Sequence, residues 1–222
     1  MNEWDVKIRD RIMRIAGRYS AEQVFKDWVQ MTAIMIANTL DVRRGKLWEK
    51  REESYKNTAR QYDTRELEQM SEMIAMLVLS LTEMHDALGE IYMNLGMGAK
   101  NTGQFFTPQS VSRLCARLSV DGMEPDEDGV YWMHEPACGS GGMVIAALCE
   151  MRERGINYQR QVRVVCQDLD WRCVDMCYVQ LSLLGVPAIV VQGSTLSEPY
   201  SRETPEEKIF RTPAEMGLLV WR

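Results

Sequence analysis

The sequence predicts an α/β protein with a helical N-terminal region, and two observations carry that prediction. From residue 130 onward, short apolar runs at 130–134, 162–167 and 188–192 alternate with helix-like runs at 143–154 and 171–184. Strands alternating with helices imply a parallel sheet joined by right-handed crossovers. Ahead of them, residues 1–95 show helical spacing and helix-capping signals.

The N-terminal elements follow in order. Residues 4–18 set Ile8, Ile12 and Ile15 on one helical face. Ser20 with Gln23 fits a capping box that opens a helix to about Leu40. Residues 41–63 form a basic stretch, and Asp63 with Glu66 is a second capping box. The helix after it carries Leu67, Met70, Ile74, Leu77, Leu81, Met84, Leu88, Ile91 and Leu95, spaced by threes and fours as in a heptad seam. Ala75, Met76, Val78 and Leu79 widen its apolar face, which fits a core helix of a small bundle. Pairing with a second copy or a partner protein through residues 64–95 is the alternative. Gly89 is a potential break near the end of this helix. A loop at 96–103, a helix at 109–118 and an acidic, turn-rich connector at 121–129 then lead into the sheet.

A length of 222 residues allows one α/β domain with an extra element, or two small domains. The periodicities divide the chain into a helical region, 1–100, and a sheet domain, 101–222. Net charge is −6 but uneven: residues 1–66 hold 14 basic and 11 acidic side chains, and the remainder is strongly acidic. The N-terminal part is therefore where an anionic partner is expected to dock. No apolar run is long enough for a transmembrane helix, and the first residues lack a signal-peptide layout, so a cytoplasmic protein without a membrane partner is expected. Six cysteines between Cys115 and Cys177 read as reduced core thiols. Cys173 and Cys177 share a helix face, but there is no C-x-x-C and the histidines are His85 and His134, so no metal site is expected.

The most informative segment is Glu135-Pro-Ala-Cys-Gly-Ser-Gly-Gly-Met143. An acidic residue closing a strand, a glycine-rich turn and then a helix make a nucleotide-type cradle. Glycines let backbone approach a ligand, and the helix N-terminus offers N–H groups. The pattern is not the dinucleotide fingerprint G-x-G-x-x-G. The next strand ends in Cys166-Gln-Asp-Leu-Asp170, about 30 positions on, where a carboxylate can accept both ribose hydroxyls of an adenosine-containing ligand. Asp168 is the first choice and Asp170 the substitute. Either one can instead cap the following helix.

These segments carry a family resemblance. Residues 135–143 resemble motif I of S-adenosylmethionine-dependent DNA methyltransferases. Gly103-Gln-Phe-Phe-Thr-Pro108 is similar to the element that precedes motif I in N6-adenine DNA methyltransferases, notably modification subunits of type I restriction systems. The segment from Asp86 to Tyr92 looks like the stretch just upstream in that family. Gln167-Asp168 resembles motif II, and Gln192-Gly-Ser-Thr-Leu196 resembles motif III. The resemblance covers about residues 86–196. It implies a Rossmann-like S-adenosylmethionine-dependent methyltransferase sheet, S-adenosylmethionine as cofactor and methyl transfer to adenine N6 in DNA. Carried over residue by residue, the implied cofactor contacts are Phe106, Thr107, Pro108, Glu135, Ala137, Gly139, Ser140, Gly141, Asp168, Leu169 and Ser194.

Three departures stand beside the agreement. Motif I opens with Glu135 in place of Asp. Motif III has Ser194 where the family has an acidic or amide residue that bonds the adenine amino group. The family's Asn-Pro-Pro-Phe/Tyr motif, which holds and stacks the flipped base, is absent; Ser197-Glu-Pro-Tyr200 reads as a surface turn, and the strand-like run 217–221 is the available fourth strand. Losing that motif predicts little autonomous catalysis, and no catalytic residue is assigned. The basic stretch, with Arg43, Arg44, Lys46 and Arg51 among Trp48, Tyr55 and Tyr62, is either a phosphate-contacting helix or a solvated one balanced by Glu49, Glu52 and Glu53. The functional alternatives are an adenine methyltransferase, a catalytically inactive relative that binds cofactor or DNA as a regulatory subunit, one part of a split enzyme, and a small-molecule methyltransferase.

Overall fold

The computed structural model describes residues 1–97 and 106–218 and divides the chain into two compact units. One comprises Met1–Glu83 and Ala87–Phe105; the other comprises Met84–Asp86 and Phe106–Arg222. Among the described residues, no helix is long and apolar enough to cross a membrane.

The first unit is helical. Helix α1 (Glu3–Ile15) starts at Asn2, whose side chain accepts from the Trp4 and Asp5 amides, and it buries Ile8, Ile12 and Ile15 as their spacing predicts. Helix α2 (Ala21–Leu40) is capped by the Ser20 hydroxyl. The Gln23 amide does not complete the expected box; it donates to Asp27, a buried carboxylate that also accepts from the Tyr62 hydroxyl at 2.7 Å. That bond and burial hold the Tyr62 phenol far above its ordinary value, desolvation being the larger cause. Helix α3 (Lys46–Ala59) is mostly solvated and buries only Thr58 fully. Helix α4 (Thr64–Ser80) begins with the Asp63–Glu66 capping box in both directions.

The long seam helix expected over 64–95 is two helices. After α4 the chain passes through a 3₁₀ turn (Leu81–Glu83) and resumes as α5 (Ala87–Asn94). Gly89 lies inside α5, so the break is not at the glycine. It follows polar captures that apolar spacing does not register. The Ser80 hydroxyl donates to buried Asp5 and its carbonyl accepts from Asn2, while Met84–Asp86 belong to the second unit. The seam itself faces the core of its own unit: Met70, Leu77, Leu81, Leu88 and Ile91 are buried, as are Phe25 and Trp28, whose indole donates to the Met70 carbonyl. Ala75, Val78 and Leu79 do not widen that buried face; they are exposed.

The second unit is the α/β layer structure. Helix α6 (Gln109–Val120) precedes strand β1 (Tyr131–Glu135), helix α7 (Gly142–Glu153), a short helix α8 (Tyr158–Gln161), strand β2 (Val162–Asp168), helix α9 (Trp171–Leu183) and strand β3 (Ala188–Gln192). Strands β1, β2 and β3 pair in parallel in that order, with Glu135 beside Cys166 and Asp168 beside Gln192. All three end at the same edge, which gathers the loops that follow them. A fourth strand, β4 (Ile209–Arg211), adds antiparallel to β3. The fourth strand is thus three residues long and precedes the run expected to form it; Gly217 and Leu218 are not in a strand, and 219–222 lie outside the described residues. Its anchors are tertiary. Phe210 stacks on Tyr178 of α9 at 4.5 Å, and Thr212 is buried, donating to the Val186 carbonyl and accepting from the Ala188 amide.

Candidate functional site

The glycine turn between β1 and α7 is held from several directions. The Gly139 amide donates to Asp168 Oδ2 at 2.9 Å, tying the turn to the end of β2. The Cys138 amide donates to the Gln167 carbonyl, and the Gly141 amide to the Cys138 carbonyl. Gly139 has φ +52°, and a methyl group there would meet the Phe106 ring at 3.0 Å, so the ring lies directly on the turn. Glycine is required at this position twice over, by dihedral and by space. The Thr195 hydroxyl donates to the Pro136 carbonyl at 2.6 Å, and the Gly193 amide to the Asp168 carbonyl at 2.9 Å. Phe106, the turn, the end of β2 and the start of the loop after β3 therefore meet at one edge of the sheet.

Beneath the turn lies a polar network. The Ser140 hydroxyl donates to Asp86 Oδ2 at 2.5 Å; the Gln180 amide donates to Asp86 Oδ1 at 2.9 Å and to the Ser140 carbonyl at 2.8 Å. Ser140 and Gln180 are fully buried. A methyl group on Gly142 would come within 2.7 Å of Asp86 Oδ2, so the carboxylate sits against the first residue of α7, where the helix dipole favours a negative charge. The sequence signal for Gln180 is a lone amide inside the apolar face of α9; nothing in spacing pairs it with Asp86.

The sequence-predicted residues divide into three groups. Phe106, Glu135, Gly139, Gly141, Asp168 and Ser194 line the converging segments. Thr107, Pro108, Ala137 and Leu169 flank them and are exposed; the Ala137 amide donates to Glu135 Oε1, and the Leu169 carbonyl accepts from Gln192. Ser140 faces the other way, its hydroxyl bonded to Asp86 and not directed to the open side of the turn. Residues 103–105 of the preceding element lie outside the described residues. The two aspartates have different partners. Asp170 caps α9, accepting from the Arg172 amide and pairing with its guanidinium. Asp168 accepts one backbone N–H on each oxygen, from Gly139 and Asp170, and keeps acceptor capacity on both. Burial holds the Glu135 carboxyl above its ordinary value, against a single amide bond from Ala137.

The segment 197–200 leaves a turn at 195–197 as an irregular, mostly exposed stretch. Gln167, buried at the end of β2, clamps it: its amide donates to the Glu198 carbonyl at 2.8 Å and its carbonyl accepts from the Tyr200 amide at 3.1 Å. The cysteines hold a surprise for linear spacing. The thiols of Cys138, Cys166 and Cys177, from three different elements, lie within 4.8 Å of one another, all buried. Hydrogen bonds from Cys138 and then Cys177 draw the Cys166 thiol below its ordinary value, while donation to Cys166 pushes Cys138 up.

In the first unit, the basic stretch surrounds a cavity of about 580 Å³ lined by Asn38, Asp41, Arg44, Trp48, Glu52 and Tyr55, among others. The Arg44 guanidinium lies over the Trp48 ring at 5.5 Å. Arg43, Arg44 and Lys46 are exposed, Arg51 is half-buried, and Glu52 pairs with Lys56.

The family model for N-6 DNA methylase matches residues 83–213. The chain is similar to the type I restriction enzyme MpnII methylase subunit of Mycoplasma pneumoniae, 30% identical over 137 residues, covering 60% of this chain and 21% of that protein. It thus spans about a fifth of that curated relative's length. A Listeria monocytogenes structure assigned as a class I S-adenosylmethionine-dependent methyltransferase superposes with a TM-score of 0.51 at 11% identity, covering 89% of this chain and 55% of the other. A type I restriction-modification methyltransferase subunit from Streptococcus thermophilus gives 0.44 at 19% identity, over 83% and 42% of the two chains. The Listeria likeness shows the fold: a Rossmann-like methyltransferase sheet.

Proposed function

Because this chain belongs to the N-6 DNA methylase family, we propose that its sheet domain, residues 101–222, binds S-adenosylmethionine at the edge where Phe106, the glycine turn and Asp168 meet. The observation that carries this reading is the Gly139 N–H donated to Asp168 under the Phe106 ring. That cradle fits the cofactor's chemistry. The two carboxylates, Asp168 and Glu135, offer acceptors for ribose hydroxyls and an ammonium group. The Phe106 ring offers an apolar wall for the methionine end, and Ser194 offers a hydroxyl toward the adenine amino group. S-adenosylmethionine supplies an activated methyl group; the residues here bind, orient and exclude water, which is how such transfer is promoted.

Methyl transfer to adenine N6 in DNA is the reaction proposed for the assembly in which this chain works. The 222 residues contain no Asn-Pro-Pro, and Ser197–Tyr200 is a surface stretch clamped by Gln167. We assign base holding to a further polypeptide segment. Strand β1 pairs only with β2 among the described residues, and Val111, Leu114 and Leu118 of α6 are exposed, so the second unit offers apolar surface for such a segment to cover. The helical region, residues 1–100, is proposed to contact DNA through Arg43, Arg44, Lys46 and Arg51, and a partner protein or second copy through 64–95, where Ala75, Val78 and Leu79 are exposed. The second reading, a regulatory subunit that binds cofactor or DNA without catalysis, shares every one of these contacts.

Calorimetric titration of S-adenosylmethionine into the full chain tests the first clause: one saturable site is expected, lost on Asp168→Ala, and absence of binding rejects it. Labelled methyl transfer to unmethylated DNA tests the second. The chain alone is expected to transfer little, and efficient transfer by it rejects the assignment of base holding elsewhere.

A further inference from the structure

We propose that Cys138, Cys166 and Cys177 form a three-thiolate binding site for a soft, thiophilic cation of the Cu(I) type. The three side chains come from the glycine turn, β2 and α9, so only the tertiary fold brings them together. Their relative exposures are 5%, 0% and 0%, and their sulfurs lie within 4.8 Å of one another. Thiolates about 2.3 Å from a common ion in a trigonal plane stand roughly 4 Å apart, inside that limit. The donor set argues for the class of ion. Structural zinc takes four ligands, and among the described residues no histidine, carboxylate or fourth cysteine joins this group. All-sulfur donors in a dry site select a soft monovalent ion over magnesium, calcium or manganese. Binding exchanges thiol protons for metal–sulfur bonds, with the protons released to solvent and no electron transferred. The remaining cysteines are placed elsewhere: the Cys149 thiol donates to the Met84 carbonyl, and neither Cys115 nor Cys173 is in the group.

The site is anchored in the turn that the cofactor reading uses, since the Cys138 amide and carbonyl are bonded to Gln167 and Gly141. It does not depend on that reading, because copper retention is read directly. The test is anaerobic titration of the reduced full chain with Cu(I) against a colorimetric chelator. One equivalent is expected to be withheld from the chelator, with a thiolate-to-copper ultraviolet band. Cys115→Ser, Cys149→Ser and Cys173→Ser should each leave that equivalent in place. Cys138→Ser and Cys177→Ser should weaken retention at least about tenfold, with thermal unfolding confirming that each variant is folded. If Cys177→Ser does not fold, Cys138→Ser decides, because its side chain lies in a turn and not in a helix or strand. The proposal is overturned if the wild-type chain withholds no copper, or if folded Cys138→Ser withholds as much as the wild type.

Discussion

The glycine turn of the sheet unit and the basic helix α3 of the helical unit are both rich in polar groups, and they use them in opposite ways. In the turn almost every polar group is committed. Gly139 is bonded to Asp168, Ser140 to Asp86, and Gln180 bridges Asp86 and the Ser140 carbonyl, all over short distances. On α3 and just before it, Arg43, Arg44 and Lys46 extend into solvent, and the Glu52–Lys56 pair joins a half-buried carboxylate to an exposed lysine. The first arrangement fixes a backbone shape, on which the proposed cofactor site rests; the second supplies charge whose effect fades with salt. A buried, mutually bonded constellation has few ways to be rearranged without loss, whereas a solvated row of cations can lose one member at little cost.

The largest effect should come from breaking the turn's tie to β2. Asp168→Ala removes the acceptor proposed for two ribose hydroxyls and the partner of the Gly139 amide. Cofactor affinity is expected to fall about a hundredfold or more, since charge-assisted hydrogen bonds are each worth about 1.5–3 kcal/mol. Calorimetry checks this, and unchanged affinity would erase the distinction between the two regions. Next comes Asp86→Ala. It strands the Ser140 hydroxyl and the Gln180 amide in the interior and should destabilise the chain by about 2 kcal/mol, read from urea unfolding. Asp86→Asn, which keeps one acceptor, should lose less. If both variants unfold like the wild type, the network under the turn is not what holds it.

How far these regions were legible in the sequence follows from the same contrast. Strands β1 to β3 and helices α7 and α9 fall within a residue or two of their apolar runs; β2, β3, α7 and α9 are largely buried, while β1 alternates half-buried and exposed residues. Asp168 beside the glycine turn is legible from the strand–turn–helix pattern and its spacing, whereas Phe106 is placed there only through resemblance, since no local pattern links it to Gly139. Gln180 and Cys166 were silent for a related reason: their partners are supplied by topology. The break between α4 and α5 was illegible because a heptad count weighs apolar residues alone, and the break is made by Asp5, Ser80 and Asp86. Strand β4 was missed because three residues carry no period; Phe210 is held by Tyr178 and Trp171, not by a pattern.

A smaller effect is expected on the charged side of the comparison. Replacing Arg43, Arg44, Lys46 and Arg51 by alanine should weaken binding to duplex DNA about tenfold at low salt. The slope of log affinity against log salt should fall by about 0.9 for each phosphate contact removed. A mobility-shift series across salt concentrations measures both. Binding with an unchanged slope would show that the stretch is a solvated helix face, and the contrast with the turn would then be between a site and plain surface.

The smallest effect sharpens the comparison within the turn itself. Burial raises the Glu135 carboxyl above its ordinary value, and the Ala137 amide only partly offsets it. A carboxyl raised in the folded chain favours folding while it is protonated, below its unfolded value, and that advantage disappears as pH rises through the raised value. Ionised Glu135 is therefore a local cost to the ligand-free fold at neutral pH. Glu135→Gln removes the charge while keeping an acceptor. Its stability relative to the wild type should be near zero at acid pH, grow as pH rises through the carboxylate range, and stay level above it. The same variant should bind cofactor a few-fold more weakly, because an amide is a poorer acceptor than a carboxylate. Denaturant unfolding at several pH values separates the outcomes. A variant that is less stable at neutral pH, or whose difference from the wild type ignores pH, would show that Glu135 supports the fold and is not held at a cost for a ligand.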